Sequence, residues 1–226
     1  MTSPSSRTDG ALRRHDLVVV SRAAWQSLLA ERRDLAGEPL VAGWVDRGWP
    51  LIVRRPTPGE GDGLPLGLPL PPSHGKRRLA LLLPFAAMVS TAPPPLLSQA
   101  IDVAPAAWRP SLRRLVALAA SHGGTARVYG SLAWHLTTRL DYLTPRSDLD
   151  LLLEVPRTCD GARLMVELAG VEAAAPMRLD GELVRDDGAA VNWREIHEGA
   201  REVLVKTTGE AILLPVSRFL GAEMRP

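Results

Sequence analysis

The chain has 226 residues, 46% of them apolar, and a formal net charge of +2. That length suits one large domain or two small ones, with ample apolar content for a core. It holds no run of about 18 apolar residues, so no membrane span is expected, and the polar opening MTSPSSRTDG reads as a disordered stretch over 1–10, not a signal peptide.

The lone Cys159 excludes an internal disulfide and fits a reducing cytosol, and no Cys/His cluster offers a zinc site. Charge is unevenly spread: residues 1–126 hold fifteen Lys/Arg against nine Asp/Glu, and residues 127–226 hold twelve against sixteen. A basic half joined to an acidic half suits an anionic ligand gripped by one half and a metal held in the other, although two ordinary solvated surfaces give the same pattern. Arginine outnumbers lysine by 25 to two, which marks Lys76 and Lys206 as compact ammonium partners for phosphate.

In chain order, Asp16 to Val20 reads as a strand, and Ser21 caps a helix running to about Ala36 with Trp25, Leu28 and Leu29 inward. Leu40 to Arg47 reads as a short helix and Leu51 to Arg54 as a strand. The Pro/Gly-rich stretch 55–75 alternates Leu64, Leu66, Leu68 and Leu70 with small residues and prolines. Its expected form is an extended segment crossing a surface, not a central strand, because proline removes ladder donors. Next, His74-Gly75-Lys76-Arg77-Arg78 leads into a strand, Leu79 to Leu83. A glycine followed by three cations is a candidate phosphate grip, or else a solvated start to the strand. Ala92 to Pro95 is the best linker candidate, Leu96 to Ile101 a helical turn, and Ser111 to His122 a helix closed by Gly123-Gly124.

The chain is organised around Val128 to Glu154. A short strand, Ala126 to Tyr129, runs into Gly130-Ser131 and a helix, Leu132 to Arg139; a turn over Tyr142 to Ser147 precedes a strand, Asp148 to Val155. Asp148 and Asp150 lie two apart and so project from one face, with Leu149, Leu151 and Leu153 on the other. Paired carboxylates repel unless a cation lies between them, and Mg²⁺ is commonly held by one or two carboxylates plus substrate phosphates. Gly130 permits close backbone approach, and the N-terminus of the following helix favours phosphate. Together these residues resemble the nucleotidyltransferase superfamily, although the sixteen residues between Ser131 and Asp148 are more than its usual spacing.

Further on, Asp160 to Ala169 reads as a helix with Ala162, Met165, Val166 and Ala169 inward. Met177 to Arg185 and Ala189 to Trp193 form a hairpin about Asp186-Asp187-Gly188; Glu195 to Ala200 is a helical turn. Glu202 to Thr207 and Ala211 to Pro215 form a last hairpin about Thr208-Gly209. Asp180 is the candidate third acid, with Glu182 on its face and Glu195 as a rival.

The segments YGSLAWHLTTRLDYLTPRSDLDLLLEV, DGELVRDDGAAVNWREI and EVLVKT, with RHDLVVV and PLGLPLPP…GKRRLALLLP, resemble the malonate decarboxylase holo-acyl-carrier-protein synthases, which are phosphoribosyl-dephospho-CoA transferases. The similarity spans about Arg14 to Pro215, and the long insert is expected in this family. It implies an α+β chain: a small N-terminal α/β domain over 11–91, a linker over 92–109, and a nucleotidyltransferase-like domain over 110–226 with a mixed sheet and flanking helices. The implied donor is 2′-(5″-triphosphoribosyl)-3′-dephospho-CoA, the acceptor a serine of the apo acyl carrier subunit of malonate decarboxylase, and the compartment the cytoplasm. The expected roles are Asp148 and Asp150 as Mg²⁺ ligands, Asp180 as ligand or base, and Gly130, Ser131, Lys76, Arg77, Arg146 and Lys206 on the phosphates. Three other readings stay open on the sequence: an ATP-using nucleotidyltransferase, a non-catalytic domain of the same fold, and a nucleic-acid module. The last is disfavoured because few aromatics interleave with the basic residues.

Overall fold

The structure is a computed structural model that describes residues 12–207 and 209–220. The expected disordered stretch 1–10 and Thr208 of the last hairpin lie outside the described residues. The chain is α+β and is built on two sheets.

The first sheet comprises β1 (Leu17–Val20), β2 (Leu51–Val53), β3 (Leu64–Pro69), β4 (Arg78–Leu83) and β5 (Met88–Ala92), in the order β4-β3-β2-β1-β5, with every pairing antiparallel. Helix α1 (Arg22–Glu31) starts where Ser21 Oγ accepts from the Ala24 amide at 3.2 Å. The single helix expected to reach Ala36 breaks at Arg32 and resumes as α2 (Arg33–Ala36); a further short helix, α3 (Pro39–Ala42), follows. Trp25, Leu29, Leu35 and Trp44 pack against the buried face of the sheet.

The proline-rich stretch corrects an expectation. It is an interior strand, β3, paired with β2 on one side and β4 on the other. Leu64, Leu66, Leu68 and Leu70 are buried in the core. The Leu70 amide donates toward the β4 side, to Arg77 O at 2.8 Å. Pro65 presents its carbonyl to the β2 side, where it accepts from the Arg54 amide at 3.0 Å. In a strand, a residue's N–H and C=O point the same way, so the donor missing at Pro65 falls beyond the end of three-residue β2. The prolines cost the ladder little because their partner strand is so short.

The second sheet has β6 (Thr125–Val128), β7 (Leu149–Glu154), β8 (Leu179–Val184), β9 (Ala190–Asn192), β10 (Glu202–Lys206) and β11 (Ala211–Pro215), ordered β11-β10-β9-β8-β7-β6. Only β7 and β8 pair in parallel, joined through α7 (Gly161–Ala173). Helices α4 (Leu97–Ala100), α5 (Arg109–Ser121) and α7 bury their apolar stripes with Leu149, Leu151 and Leu153 in one core. The stripe expected on α7 is rotated: Leu164, Met165, Leu168 and Val171 point inward, while Val166 is 70% exposed. Residues 97–108, expected within a linker, contribute Leu97, Ala100, Ala104 and Trp108 to this core.

The opposite face of the second sheet meets the first half of the chain. Helix α6 (Gly130–Thr138) and the turn after it send Trp134 and Tyr142 into the N-terminal core, where the Tyr142 hydroxyl donates to Pro69 O at 2.8 Å. A second contact is ionic. Glu182, 4% exposed, accepts from Arg14 at 3.2 Å and from Lys206 at 3.0 Å, with the His15 ring at 3.8 Å. Burial alone would raise the Glu182 pKa, but the His15 contact and the charges of Arg14 and Lys206 hold it well below the usual carboxylate range.

Candidate active site

Strand alternation sets the acids. Asp150 on β7 is in parallel register with Asp180 on β8, so the two carboxylates lie side by side on the face turned away from the helices. Asp148 precedes Asp150 by two residues, just before β7 begins. Asp150 is raised to about 6 by burial first, then by the charge of Asp180, with Asp148 adding to it. The Ser131 amide bonds to Asp150, and the charge of Arg78 pulls the other way. Asn192 Nδ2 donates to Asp180 Oδ1 at 3.2 Å, which fixes that carboxylate.

Gly130 is dictated by this geometry. Its φ is +60°, and a Cβ placed there would lie 1.8 Å from Asp150 Oδ2. Only glycine combines that conformation with so close a carboxylate.

Above Asp150 lies a cavity of about 330 Å³, floored by Tyr129, Gly130, Ser131 and Trp134 and roofed by strands of the N-terminal sheet. That volume suits a small-molecule site. Its cations are Arg14, Arg54, Arg55, Lys76 and Arg78. Arg14 is bonded to Glu182 and Arg54 to Glu60, whereas Arg55, Lys76 and Arg78 form no ion pair among the described residues. Among the described residues the buried Arg55 Nε has no hydrogen-bond partner, although a buried donor calls for one.

The sequence-predicted residues divide accordingly. Gly130, Ser131, Asp150 and Lys76 come together at the cavity, and Asp180 and Asp148 adjoin Asp150. Three expected phosphate partners do not line it. Arg77, just before β4, pairs with Glu38 at the surface, while the turn residue Lys76 and its neighbour Arg78 line the cavity. Lys206 is held by Glu182, and Arg146 lies in a separate groove beside Asp148. The rival acid Glu195 accepts from the Leu204 amide at 2.8 Å and braces β10 instead. Sequence reasoning missed Arg55, and it marked Arg78 only as the last of the three cations after Gly75 without naming it among the expected phosphate partners. The available signals were Arg55 directly after the apolar run Leu51 to Val53, and the two-residue spacing of Lys76 and Arg78.

Among the described residues, no three His, Cys, Asp or Glu side chains form a ready-made metal cage. The donor set is instead two or three crowded carboxylates facing free cations, an arrangement that suits a hard cation completed by substrate phosphates. Among the described residues, no helix is long and apolar enough to cross a membrane.

Two sheets meet at a cleft with a row of acids on one wall and cations on the other, and the family comparisons identify this two-part chain as a transferase. Residues 13–94 match the family described as phosphoribosyl-dephospho-CoA transferase MdcG N-terminal domain, and residues 96–217 match its C-terminal domain. The chain belongs to this phosphoribosyl-dephospho-CoA transferase family. It is similar to a Bradyrhizobium diazoefficiens protein named phosphoribosyl-dephospho-CoA transferase, 52% identical over 98% of each chain. A protein of the same name from Xanthomonas axonopodis pv. citri is 37% identical over 92% of this chain and 97% of its own. One from Pseudomonas aeruginosa is 32% identical over 77% and 81%. No solved structure matches the chain.

Proposed function

We propose that the protein transfers the phosphoribosyl-dephospho-CoA group from 2′-(5″-triphosphoribosyl)-3′-dephospho-CoA to a serine of the apo acyl carrier subunit of malonate decarboxylase, releasing diphosphate. The observation that carries this reading is the cavity itself: Asp150 at one wall, with Arg55, Lys76 and Arg78 free at the other. That is the charge pattern a triphosphate needs, with cations for its departing end and acids where the reacting hydroxyl and a metal meet.

In this reading Asp148 and Asp150 would hold Mg²⁺, which supplies charge neutralisation between the carboxylates and the phosphates. The chain's own groups do the rest. The Gly130–Ser131 turn lets the donor approach the start of α6 closely. Asn192 holds Asp180 by Oδ1, leaving the other oxygen to take the proton of the serine hydroxyl. As the serine oxygen bonds to phosphorus, the bond to diphosphate breaks, and the diphosphate leaves from Lys76, Arg78 and Arg55, which already bind the triphosphate tail. Such chemistry belongs in the cytoplasm, where apo carrier and donor meet.

The test is mass spectrometry of the apo carrier after incubation with the protein, Mg²⁺ and either the triphosphoribosyl donor or ATP. The expected result is a carrier mass increase equal to the prosthetic group, with diphosphate released, only with the first donor. Modification from ATP, or none with either donor, sinks the reading.

A further inference from the structure

The acid row faces two openings, and the cavity accounts for only one. Asp150 lines the cavity, whereas Asp148 lines a separate groove of about 520 Å³. The groove is built wholly from residues within the 96–217 match and has Trp108 and Met177 in its floor. Arg146 and Arg178 line it beside Asp148; both are exposed and form no ion pair among the described residues. The Leu149 amide donates to Arg178 O at 2.9 Å, which pins Arg178 next to Asp148 where β7 and β8 begin.

The two openings differ in what they can admit. The cavity lies between the two halves of the molecule and has room for a small molecule but not for a protein. The groove lies on the surface. Phosphoryl transfer puts the attacking and leaving oxygens roughly in line on opposite sides of phosphorus. With the leaving diphosphate among the cavity cations, an in-line attack comes from the side away from them, and Asp148 is the acid of the row that opens to a surface groove.

We propose that this groove is the docking surface for the acceptor protein, an acidic segment presenting its serine hydroxyl at Asp148; the assignment rests on the reaction proposed above. Charge complementarity identifies the occupant. Two unpaired guanidinium groups flank the approach to a row of carboxylates that would otherwise repel an acidic partner. They select for Asp or Glu near the acceptor serine and fix its register. Trp108 and Met177, buried in the core beneath, give the groove a firm apolar floor between them. The exposed rim prolines Pro105, Pro145 and Pro176 are already rigid, so little chain entropy is lost when a partner docks.

The decisive experiment uses the full chain, the apo carrier subunit and the triphosphoribosyl donor, and compares wild type with the double variant Arg146→Glu/Arg178→Glu. Both side chains are exposed, so the variant should fold, and Arg146→Lys/Arg178→Lys serves as the charge-conserving control. The expected result is a carrier KM and a carrier Kd by calorimetry each raised by about tenfold or more, an unchanged donor KM, and near wild-type behaviour in the lysine control. Unchanged carrier KM and Kd overturn the proposal, as does a raised donor KM with the carrier KM intact, which would put the triphosphate in the groove. A wild type that never modifies the carrier removes both the proposed reaction and the groove assignment. An active wild type matched by the glutamate variant removes the groove assignment alone.

Discussion

The two walls of the cavity are built on opposite plans. The C-terminal wall is compact: Gly130, Ser131 and Asp150 come from one turn and the strand beside it, with Asp180 one strand over in exact register. The N-terminal wall is dispersed: Arg55 follows β2, while Lys76 and Arg78 sit at the start of β4. The acids are held by backbone register and a helix N-terminus, the cations by long side chains reaching from a separate sheet. A rigid acid row suits groups that must meet reacting atoms, and a ring of flexible cations suits a charged tail that has only to be neutralised. Damage to the first wall should therefore abolish chemistry, and damage to the second should weaken substrate binding by degrees.

The sharpest break in this contrast is Asp150→Asn. It keeps the shape but removes the charge that the crowded site concentrates, and turnover should fall by about a thousandfold or more, the scale of several kcal/mol of transition-state stabilisation. Thermal stability should hold or rise, since the wild-type carboxylate is raised to about 6 by burial and its neighbours. Turnover within tenfold of wild type would mean that the acid wall is not where the chemistry occurs. Gly130→Ala comes next. The added methyl group meets Asp150 Oδ2 at 1.8 Å from a backbone at φ +60°. The strain should cost about 1–3 kcal/mol of stability, and displacement of Asp150 should lower turnover by about a hundredfold. Normal turnover in that variant would separate the turn from the acid.

The same contrast explains what the sequence disclosed. The acid wall was legible because its parts are close in the chain and carry local signals: a glycine at a strand–helix junction and aspartates two apart. Asp180 came from the superfamily resemblance, which places a third acid on the strand after the next helix, and it lies in register with Asp150. The cation wall was legible only where a glycine preceded a basic run, and there the choice between neighbours failed. Arg77 and Arg78 are chemically alike, and only the register of β4 against β3 sends one to Glu38 and the other to the cavity. Lys206 was misplaced for a related reason: its partner Glu182 is distant in sequence, and that pairing exists only once β10 lies beside β9 and β9 beside β8. The proline-rich β3 was hidden because its prolines face a strand too short to need their missing donors.

Cation substitutions sharpen the comparison at a smaller scale. Arg55→Ala and Lys76→Ala should each raise the donor KM by about tenfold with a modest change in kcat, since one charge-assisted hydrogen bond is worth about 1.5–3 kcal/mol. Arg77→Ala should leave the donor KM unchanged, because its guanidinium already pairs with Glu38 at the surface. Steady-state kinetics on the three variants decide this; equal effects in all three would show that the wall acts through bulk charge and not through side chains aimed at the cavity.

The smallest effect concerns how the walls are joined. His15 has φ +70°, stacks on Tyr129 at 4.2 Å between ring centroids and lies against Glu182. Its pKa is held below 6.5 by burial first, with Arg14 and Lys206 adding to the effect against the raising influence of Glu182. A histidine whose folded pKa lies below its unfolded value binds more protons when unfolded, so its contribution to stability is present above about 6.5 and is lost as pH falls below it. The Glu182 pKa is held well below its ordinary value of 4.5, so its contribution is lost only at more acidic pH, below that value. The wild-type Tm should therefore begin to fall between pH 7 and pH 5, before the general acid transition. His15→Asn keeps a side chain tolerant of positive φ and removes the titrating ring, so it should flatten that segment and leave the later fall in place. Parallel Tm curves for the two proteins across this range would show that the clamp between the walls does not titrate through His15.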